Sequence, residues 1–204
     1  MLSDKYRGIV MAELINRGDD RLMSEMAHIA ARHLDAKSAI EVTMELKGAS
    51  RNMHFGGAYT TLAEASPEAL KDNYESCLAG GIHEGHREQS ILALANYAEI
   101  DRVAIARMAF EQDPNTRVRG VSLLALAAAG PSGGDFEQTY RVAFADTELR
   151  SRTNVSYLVN ALSNYARHAD QNFLDSMTQE LLSTSDLHDD YRAKLQGLRD
   201  TCLD

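Results

Sequence analysis

The residues best suited to chemistry in this chain are histidines, and their densest group is His83-Glu84-Gly85-His86. Metalloproteases bind zinc through two histidines four residues apart on one helix face, with a glutamate beside the first. Here the histidines are three residues apart, follow Gly80-Gly81 and have no third ligand at nearby spacing. We therefore expect a solvated loop with Glu84 at a helix start, and no metal site.

Other catalytic motifs are missing from the sequence. There is no G-x-S-x-G, and neither Cys77 nor Cys202 lies beside a histidine. The glycine-rich run 130–134 lacks the following Lys-Ser/Thr of a phosphate loop. Two distant cysteines without a Cys-x-x-Cys pattern indicate free thiols in a reducing compartment, although a disulfide between them stays open. We expect no cofactor, and a protein that is not an enzyme is favoured.

The balance of acidic and basic residues limits the classes of partner that the protein is expected to bind. Among 204 residues, 30 are acidic and 21 basic, for a formal net charge of −9. Nucleic-acid binding depends on Lys and Arg and is disfavoured. An acidic surface suits a basic protein partner, or only solubility. The sequence has no signal-peptide pattern and no apolar run of about 20 residues, so we expect a cytoplasmic protein without a membrane span.

A short phrase recurs along the chain. Leu62-Ala63, Leu94-Ala95 and Leu126-Ala127 are spaced 32 residues apart, and residues 94–98 return in similar form at 162–166. Periods of 20–50 residues indicate stacked supersecondary units. Since Tyr97 and Tyr165 occupy equivalent positions in the phrase, we expect both to be packing residues.

Hydrophobic periodicity and capping signals predict an all-α chain. Ser66-Pro67 is a capping serine before proline at the first helical position. Residues 40–46 alternate like a strand, but with no partner strand visible we assign them to a helix. The expected helices are 4–16, 20–34, 37–47, 53–65, 67–79, 86–98, 101–112, 116–129, 135–145, 149–168, 171–183 and 187–202.

Apolar stripes should mark the buried face of each helix. In the C-terminal half the clearest stripes are Val155, Leu158, Val159, Leu162, Tyr165 and Ala166; Phe136, Tyr140, Ala143 and Phe144; and Phe173, Met177 and Leu181. Near the start of the chain they are Tyr6, Ile9, Val10 and Leu14, then Leu22, Met26, Ile29 and Ala30.

The stretch 113–130 resembles a HEAT repeat. Asp113, Pro114, Val118 and Arg119 match that family's acidic turn, proline and Val-Arg element, and an Ala/Leu-rich helix follows. Residues 86–88 and 149–151 resemble degenerate copies of the same element, so the resemblance covers about 84–185. It implies a right-handed α-solenoid of five to six stacked antiparallel helix pairs, as in HEAT and ARM proteins. The whole chain, 1–204, is then one repeat domain, and 1–50 is a divergent N-terminal cap or a different helical arrangement.

In such repeats Arg and Asp commonly tie neighbouring units together. We expect that structural role for a set of arginines that could otherwise form a basic ridge for DNA or an acidic peptide: Arg117, Arg119, Arg141, Arg150 and Arg152.

The second helix of each pair commonly lines the binding face of a solenoid. Here those helices should carry an acidic face for a basic protein, formed by Asp101, Glu111, Asp135, Glu137, Asp170, Asp175 and Glu180. An immunity or antitoxin-type inhibitor and an adaptor both fit this profile. The alternative is a HEAT-like enzyme, either a glycosylase for alkylated DNA bases, which the absence of Trp and the negative charge disfavour, or a bilin lyase. Self-association through an uncovered end of the array is a further option.

Overall fold

The protein is all-α in the computed structural model, which describes residues 4–50, 55–98, 101–133, 135–184 and 187–201. Those ranges contain twelve α-helices, two short 3-10 helices (Gly130–Gly133 and Ala166–His168) and no strand. The first six helices are α1 Asp4–Arg17, α2 Asp20–His33, α3 Ala36–Ala49, α4 Gly56–Ala65, α5 Pro67–Gly80 and α6 Glu84–Tyr97. The other six are α7 Arg102–Gln112, α8 Thr116–Ala128, α9 Phe136–Ala145, α10 Val155–Tyr165, α11 Gln171–Leu182 and α12 Asp189–Thr201.

The predicted helix starts are confirmed where a short polar side chain caps the backbone. The carboxylates of Asp19, Asp135 and Asp170 each accept backbone N–H groups in the first turn of the helix that follows. Asn115 caps α8 in the same way. Residues 40–46 are helical, as assigned. Pro67 does open α5, but the Ser66 side chain makes no capping bond, so that detail of the prediction is wrong.

One predicted start is wrong by six residues, because α10 begins at Val155 and not near 149. The Asp146 carboxylate accepts the N–H groups of Glu148 and Leu149, and the Ser151 hydroxyl donates to the Glu148 carbonyl. These side-chain bonds satisfy backbone groups in a turn, which competes with helix formation.

The chain divides into two compact units, Met1–Arg102 and Val103–Asp204. Within each unit, alternate helices pack side by side. In the first unit α2 packs on α4 and α4 on α6; in the second, α8 packs on α10 and α10 on α12. Packing between alternate helices is what a stack of helix pairs requires, because the first helix of each pair must lie against the first helix of the next.

The repeated leucines lie in that alternate series, on α4, α6, α8 and α10. Leu94, Leu126 and Leu162 are completely buried, and Leu62 is nearly so. The predicted stripes of the C-terminal half are confirmed, with every member buried or half-buried. The two N-terminal stripes are correct only in part. Leu14 and Ala30 are buried as predicted, and Leu22 and Met26 are half-buried. Ile9, Val10 and Ile29 are exposed, and the Tyr6 side chain lies outside the described residues. The other buried residues of these helices are Met11 on α1 and Met23, Ala27 and Ala31 on α2.

The two tyrosines of the repeated phrase, Tyr97 and Tyr165, differ in burial. Tyr165 is buried and its ring lies 4.3 Å, centroid to centroid, from that of Phe136. Tyr97 is 49% exposed, so the expectation that it is a packing residue is wrong. Each tyrosine is the last residue of its helix, where burial depends on what the next element supplies.

Three of the five predicted bridging arginines make structural contacts in the second unit. Arg119 Nη1 lies 2.6 Å from Asp146 Oδ2, which ties α8 to the turn after α9. Arg141 lies over the Phe173 ring and Arg150 over the Phe144 ring, as cation–π contacts. Arg117 and Arg152 are exposed.

Within the described part of the chain, every helix is too short or too polar to span a lipid bilayer.

Candidate interaction site

The predicted acidic residues fall in both compact units. Asp101 is exposed and belongs to the first unit, immediately before α7. The other six belong to the second unit, where Glu137 is half-buried and the rest are exposed: Glu111, Asp135, Asp170, Asp175 and Glu180. The predicted starts of the second helices are confirmed within a residue, because α7, α9 and α11 begin directly after Asp101, Asp135 and Asp170.

Glu137 and Asp170 meet where α9 and α11 begin, and Asp135 caps α9 two residues before Glu137. The Asp170 backbone N–H donates to Glu137 Oε1 over 2.9 Å, which joins the first turn of α9 to the capping residue of α11. Asp135 Oδ1 accepts from the Gln138 N–H, and Asp170 Oδ1 accepts from the N–H groups of Asn172 and Phe173. We call Asp135, Glu137 and Asp170 the acidic cluster.

The acidic cluster has no cationic side chain paired with it among the described residues. The helix N-termini that it caps supply a favourable partial positive charge, which offsets part of the mutual repulsion of the carboxylates. Each of the bonds given above uses a single oxygen, Oδ1 or Oε1, of its carboxylate. The cluster is therefore held in position by backbone groups, while negative charge stays at the surface.

The charges of these carboxylates contribute to the raised pKa values of two buried tyrosines. Burial is the main cause that raises the pKa of the Tyr165 phenol, and the charges of Glu137 and Asp135 raise it further. Burial likewise raises the pKa of Tyr140, with a smaller contribution from Glu180. The two predicted acids on α11 bond within their own helix, since Asp175 accepts from Gln171 and Glu180 from Ser176.

The segment 83–86, which we assigned to a solvated loop, is only partly exposed. His83 and Glu84 are exposed, and Glu84 begins α6 as predicted, but His86 lies inside the first unit. His86 is 2% exposed, because α6 begins at Glu84 and carries His86 inward on its first turn. Its Nδ1 lies 2.7 Å from the Tyr59 hydroxyl and its Nε2 lies 2.7 Å from Asn73 Oδ1. Because Asn73 Oδ1 can only accept, Nε2 carries the proton and Nδ1 accepts from Tyr59.

This arrangement keeps His86 neutral. Burial, and then the nearby positive charges of His83 and Arg87, lower the pKa of His86 to about 4. Both ring nitrogens are occupied, so a metal or a substrate could reach them only by displacing Tyr59 or Asn73. His86 and His83 line a cavity of about 340 Å³ together with Lys47 and Ser50. We interpret the imidazole as a structural link between α4, α5 and α6.

His83 has a backbone conformation that is unusual for its type, with φ of +54° in the left-handed region. It directly precedes α6, two residues after Gly81, whose φ of +64° ends α5. The sequence showed the Gly80-Gly81 turn but not the inward direction of His86. That direction depends on where α6 starts, and on Tyr59, 27 residues earlier in the chain.

Among the described residues, no three His, Cys, Asp or Glu side chains lie close enough together to hold a metal ion. Cys77 is buried and free, and Cys202 lies outside the described residues. Comparison of the chain with protein families, curated proteins and solved structures finds no match.

Proposed function

We propose that the protein is a protein-interaction module of stacked, HEAT-like helix pairs that binds a basic protein partner through carboxylates on its second helices. The packing of alternate helices within each unit supports the repeat architecture. The single observation that carries the binding role is the bond from the Asp170 N–H to Glu137, which places the Glu137 carboxylate of one second helix beside the capping residue of the next.

The chemistry of the acidic cluster suits Lys and Arg side chains of a partner. Exposed ion pairs are individually weak, about 0.2–1 kcal/mol each, so the cluster would contribute mainly to the rate and orientation of association. A basic protein would also be attracted by the net charge of −9. An immunity-type inhibitor of a basic toxin and an assembly adaptor would both bind a basic protein in this way, so the proposal covers either.

An enzyme of the glycosylase or bilin-lyase type remains the alternative prediction from the sequence. An enzyme would need a titratable group at a cavity, and in the first unit His86 is buried and lines one. Its two hydrogen bonds favour a structural role over proton transfer. The interaction module is therefore the function we put to the test.

The test neutralises the acidic cluster without removing its caps. Asn and Gln accept the same backbone hydrogen bonds as Asp and Glu, so Asp135→Asn, Glu137→Gln and Asp170→Asn combined should fold normally. The matched control is Glu64→Gln, Glu68→Gln and Asp72→Asn, which changes the net charge equally at exposed positions of the first unit.

Tagged wild-type protein and both variants are used to capture partners from an extract of the native host at low salt. The purified partner is then titrated calorimetrically against each protein at two salt concentrations. We expect one stoichiometric basic protein, bound at least ~10-fold more weakly by the cluster variant and equally well by the control. An equal loss of affinity in both variants would show that only the net charge of the protein matters. Full affinity in the cluster variant would contradict the proposed site.

A further inference from the structure

A small cavity lies between the starts of α10 and α12, within the second unit. It has a volume of about 270 Å³ and is lined by Arg152, Val155, His188, Asp190 and Tyr191. Val155 is buried and Tyr191 is half-buried, so these two supply apolar surface. Sites for small molecules combine apolar surface with a few polar groups and usually measure about 300–1,000 Å³. This cavity therefore suits a ligand of few atoms.

Arg152 brings a positive charge to the cavity lining. The sequence analysis expected it to bridge neighbouring units, as Arg119 does through Asp146. Instead, its guanidinium has no hydrogen bond, ion pair or ring contact with any described residue. A guanidinium carries five N–H donors and no acceptor. The donors of Arg152 thus have no acceptor within the described part of the chain.

His188 adds a second donor to the same lining. Its Nδ1 accepts the Asp190 backbone N–H over 3.3 Å, so the proton of the neutral ring is on Nε2. In the protonated ring both nitrogens carry hydrogen, and Asp190 Oδ2 lies 3.4 Å from Nδ1. Nε2 is therefore an N–H donor in both states, and no described residue accepts from it.

The third donor is the hydroxyl of Tyr191. The Tyr191 ring meets the edge of the His188 ring, with 6.2 Å between the two centroids. Its hydroxyl has no hydrogen-bond partner among the described residues. Three side chains with unused donors thus line one cavity, beside a single carboxylate, that of Asp190.

We propose that this cavity binds a carboxylate that carries a short apolar group. A carboxylate can accept two parallel N–H bonds from the Arg152 guanidinium, and its remaining lone pairs can accept from His188 and Tyr191. The apolar group would then lie against Val155. A singly charged ligand is favoured over phosphate, because Asp190 and the net charge of −9 repel a dianion more strongly.

The test follows the backbone amide signals of the ¹⁵N-labelled full-length protein by NMR at constant pH and ionic strength. The probes are pentanoate, its uncharged analogue pentanamide, and inorganic phosphate. We expect pentanoate to produce saturable shifts at residues 152–155 and 188–191, and each of the other two probes to bind at least ~10-fold more weakly. An absence of saturable shifts, or equal binding of pentanamide, would overturn the proposal.

Three exposed positions allow matched variants. Arg152→Gln should weaken pentanoate binding at least ~10-fold. The control, Arg117→Gln, makes the same change of charge at an exposed arginine outside the lining and should have no effect. Asp190→Asn removes the opposing charge, keeps the backbone N–H that His188 accepts, and should tighten binding. An equal loss of affinity in both arginine variants would attribute the binding to net charge and contradict the site.

A further probe identifies the source of the carboxylate. N-acetylleucine has the carboxylate of a peptide chain end, whereas pentanoate is a free small acid. Tighter binding of N-acetylleucine would assign the cavity to the C-terminus of a peptide, and tighter binding of pentanoate to a small acid. The acidic cluster is unchanged in all these variants, so the carboxylate site and the binding of a basic partner are tested separately.

Discussion

The ring of Tyr157 lies directly against Gly120, and this contact joins α8 to α10. A Cβ atom added at Gly120 would lie 2.4 Å from Tyr157 Cγ and within 3 Å of two further ring atoms. Carbon atoms pack at about 3.5–4.0 Å, so no side chain fits there without movement of the ring or of a helix. Glycine is thus required at this helical position by the close approach of its neighbour.

Gly120→Ala should destabilise the second unit. Helix propensity alone would favour alanine by about 1 kcal/mol. The clash involves Cγ, the ring atom nearest the backbone, so it cannot be relieved by a small side-chain motion, and overpacking typically costs about 1–3 kcal/mol. We expect a net loss of up to about 2 kcal/mol in the free energy of unfolding, measured by urea denaturation.

Two control experiments test whether the Tyr157 ring causes the effect of Gly120→Ala. Gly48→Ala, on α3 with no atom within 4 Å of the new Cβ, should be neutral or stabilising. In the Tyr157→Ala background, Gly120→Ala should lose its penalty, giving a coupling energy of about 1 kcal/mol or more. An unchanged penalty in that background would show that the ring is not its cause.

The ion pair of Arg119 and Asp146 should be worth more than an ordinary surface pair. Both side chains are largely covered, with 25% and 19% of their area exposed, and Asp146 also holds the turn before α10. Asp146→Asn keeps the backbone bonds and removes the charge, and Arg119→Met keeps the apolar stem. We expect each to cost about 1–2 kcal/mol, and the double variant to cost clearly less than their sum. Strict additivity in urea unfolding would rule out the pairing.

The sequence predicted where helices begin better than it predicted which side chains they bury. Helix starts at Asp19, Asn115 and Asp170 depend on local bonds from a side chain to the backbone nearby, and these are visible in a few consecutive letters. The start of α10 was misplaced because Asp146 carries the same capping signal but caps a turn.

Burial was harder to predict than helicity, since it depends on distant residues. Tyr97 and Tyr165 share one sequence context, yet only Tyr165 meets an aromatic ring, that of Phe136. On α2, Ile29 looks like a core residue by type, but smaller alanines occupy the packed side. His86 looks like a loop residue until Tyr59 and Asn73 are placed around it.

Acid should destabilise the first unit through His86. The pKa of His86 is about 4 in the folded protein and about 6.5 when unfolded, so the unfolded chain binds the proton first. Stability is therefore complete above pH 6.5 and is lost as the pH falls from 6.5 toward 4, by about 2 kcal/mol at pH 5. Carboxylates titrate in the same window, so the measurement is the difference between wild type and His86→Gln in urea unfolding at pH 7.5 and pH 5.

The glutamine variant should be less stable at pH 7.5 and should lose less stability on acidification than the wild type. Its amide can accept from Tyr59 or donate to Asn73 without titrating. Equal pH dependence of the two proteins would mean that His86 is already protonated in the native state, which contradicts the hydrogen-bond assignment.

The repeated leucines provide the most direct check on the packed interior of the second unit. Leu162 on α10 is completely buried in the cluster that includes Leu126, Phe136 and Val159. Leu162→Ala should cost about 2–5 kcal/mol through lost burial and a cavity, and Leu162→Asp at least as much, because an unpaired carboxylate replaces it. Leu92, 40% exposed on α6, is the matched control, and Leu92→Ala should cost less than about 1 kcal/mol. A wild-type melting temperature for Leu162→Asp would show that this leucine does not face the interior, and the placement of the repeated phrase at the core would then be wrong.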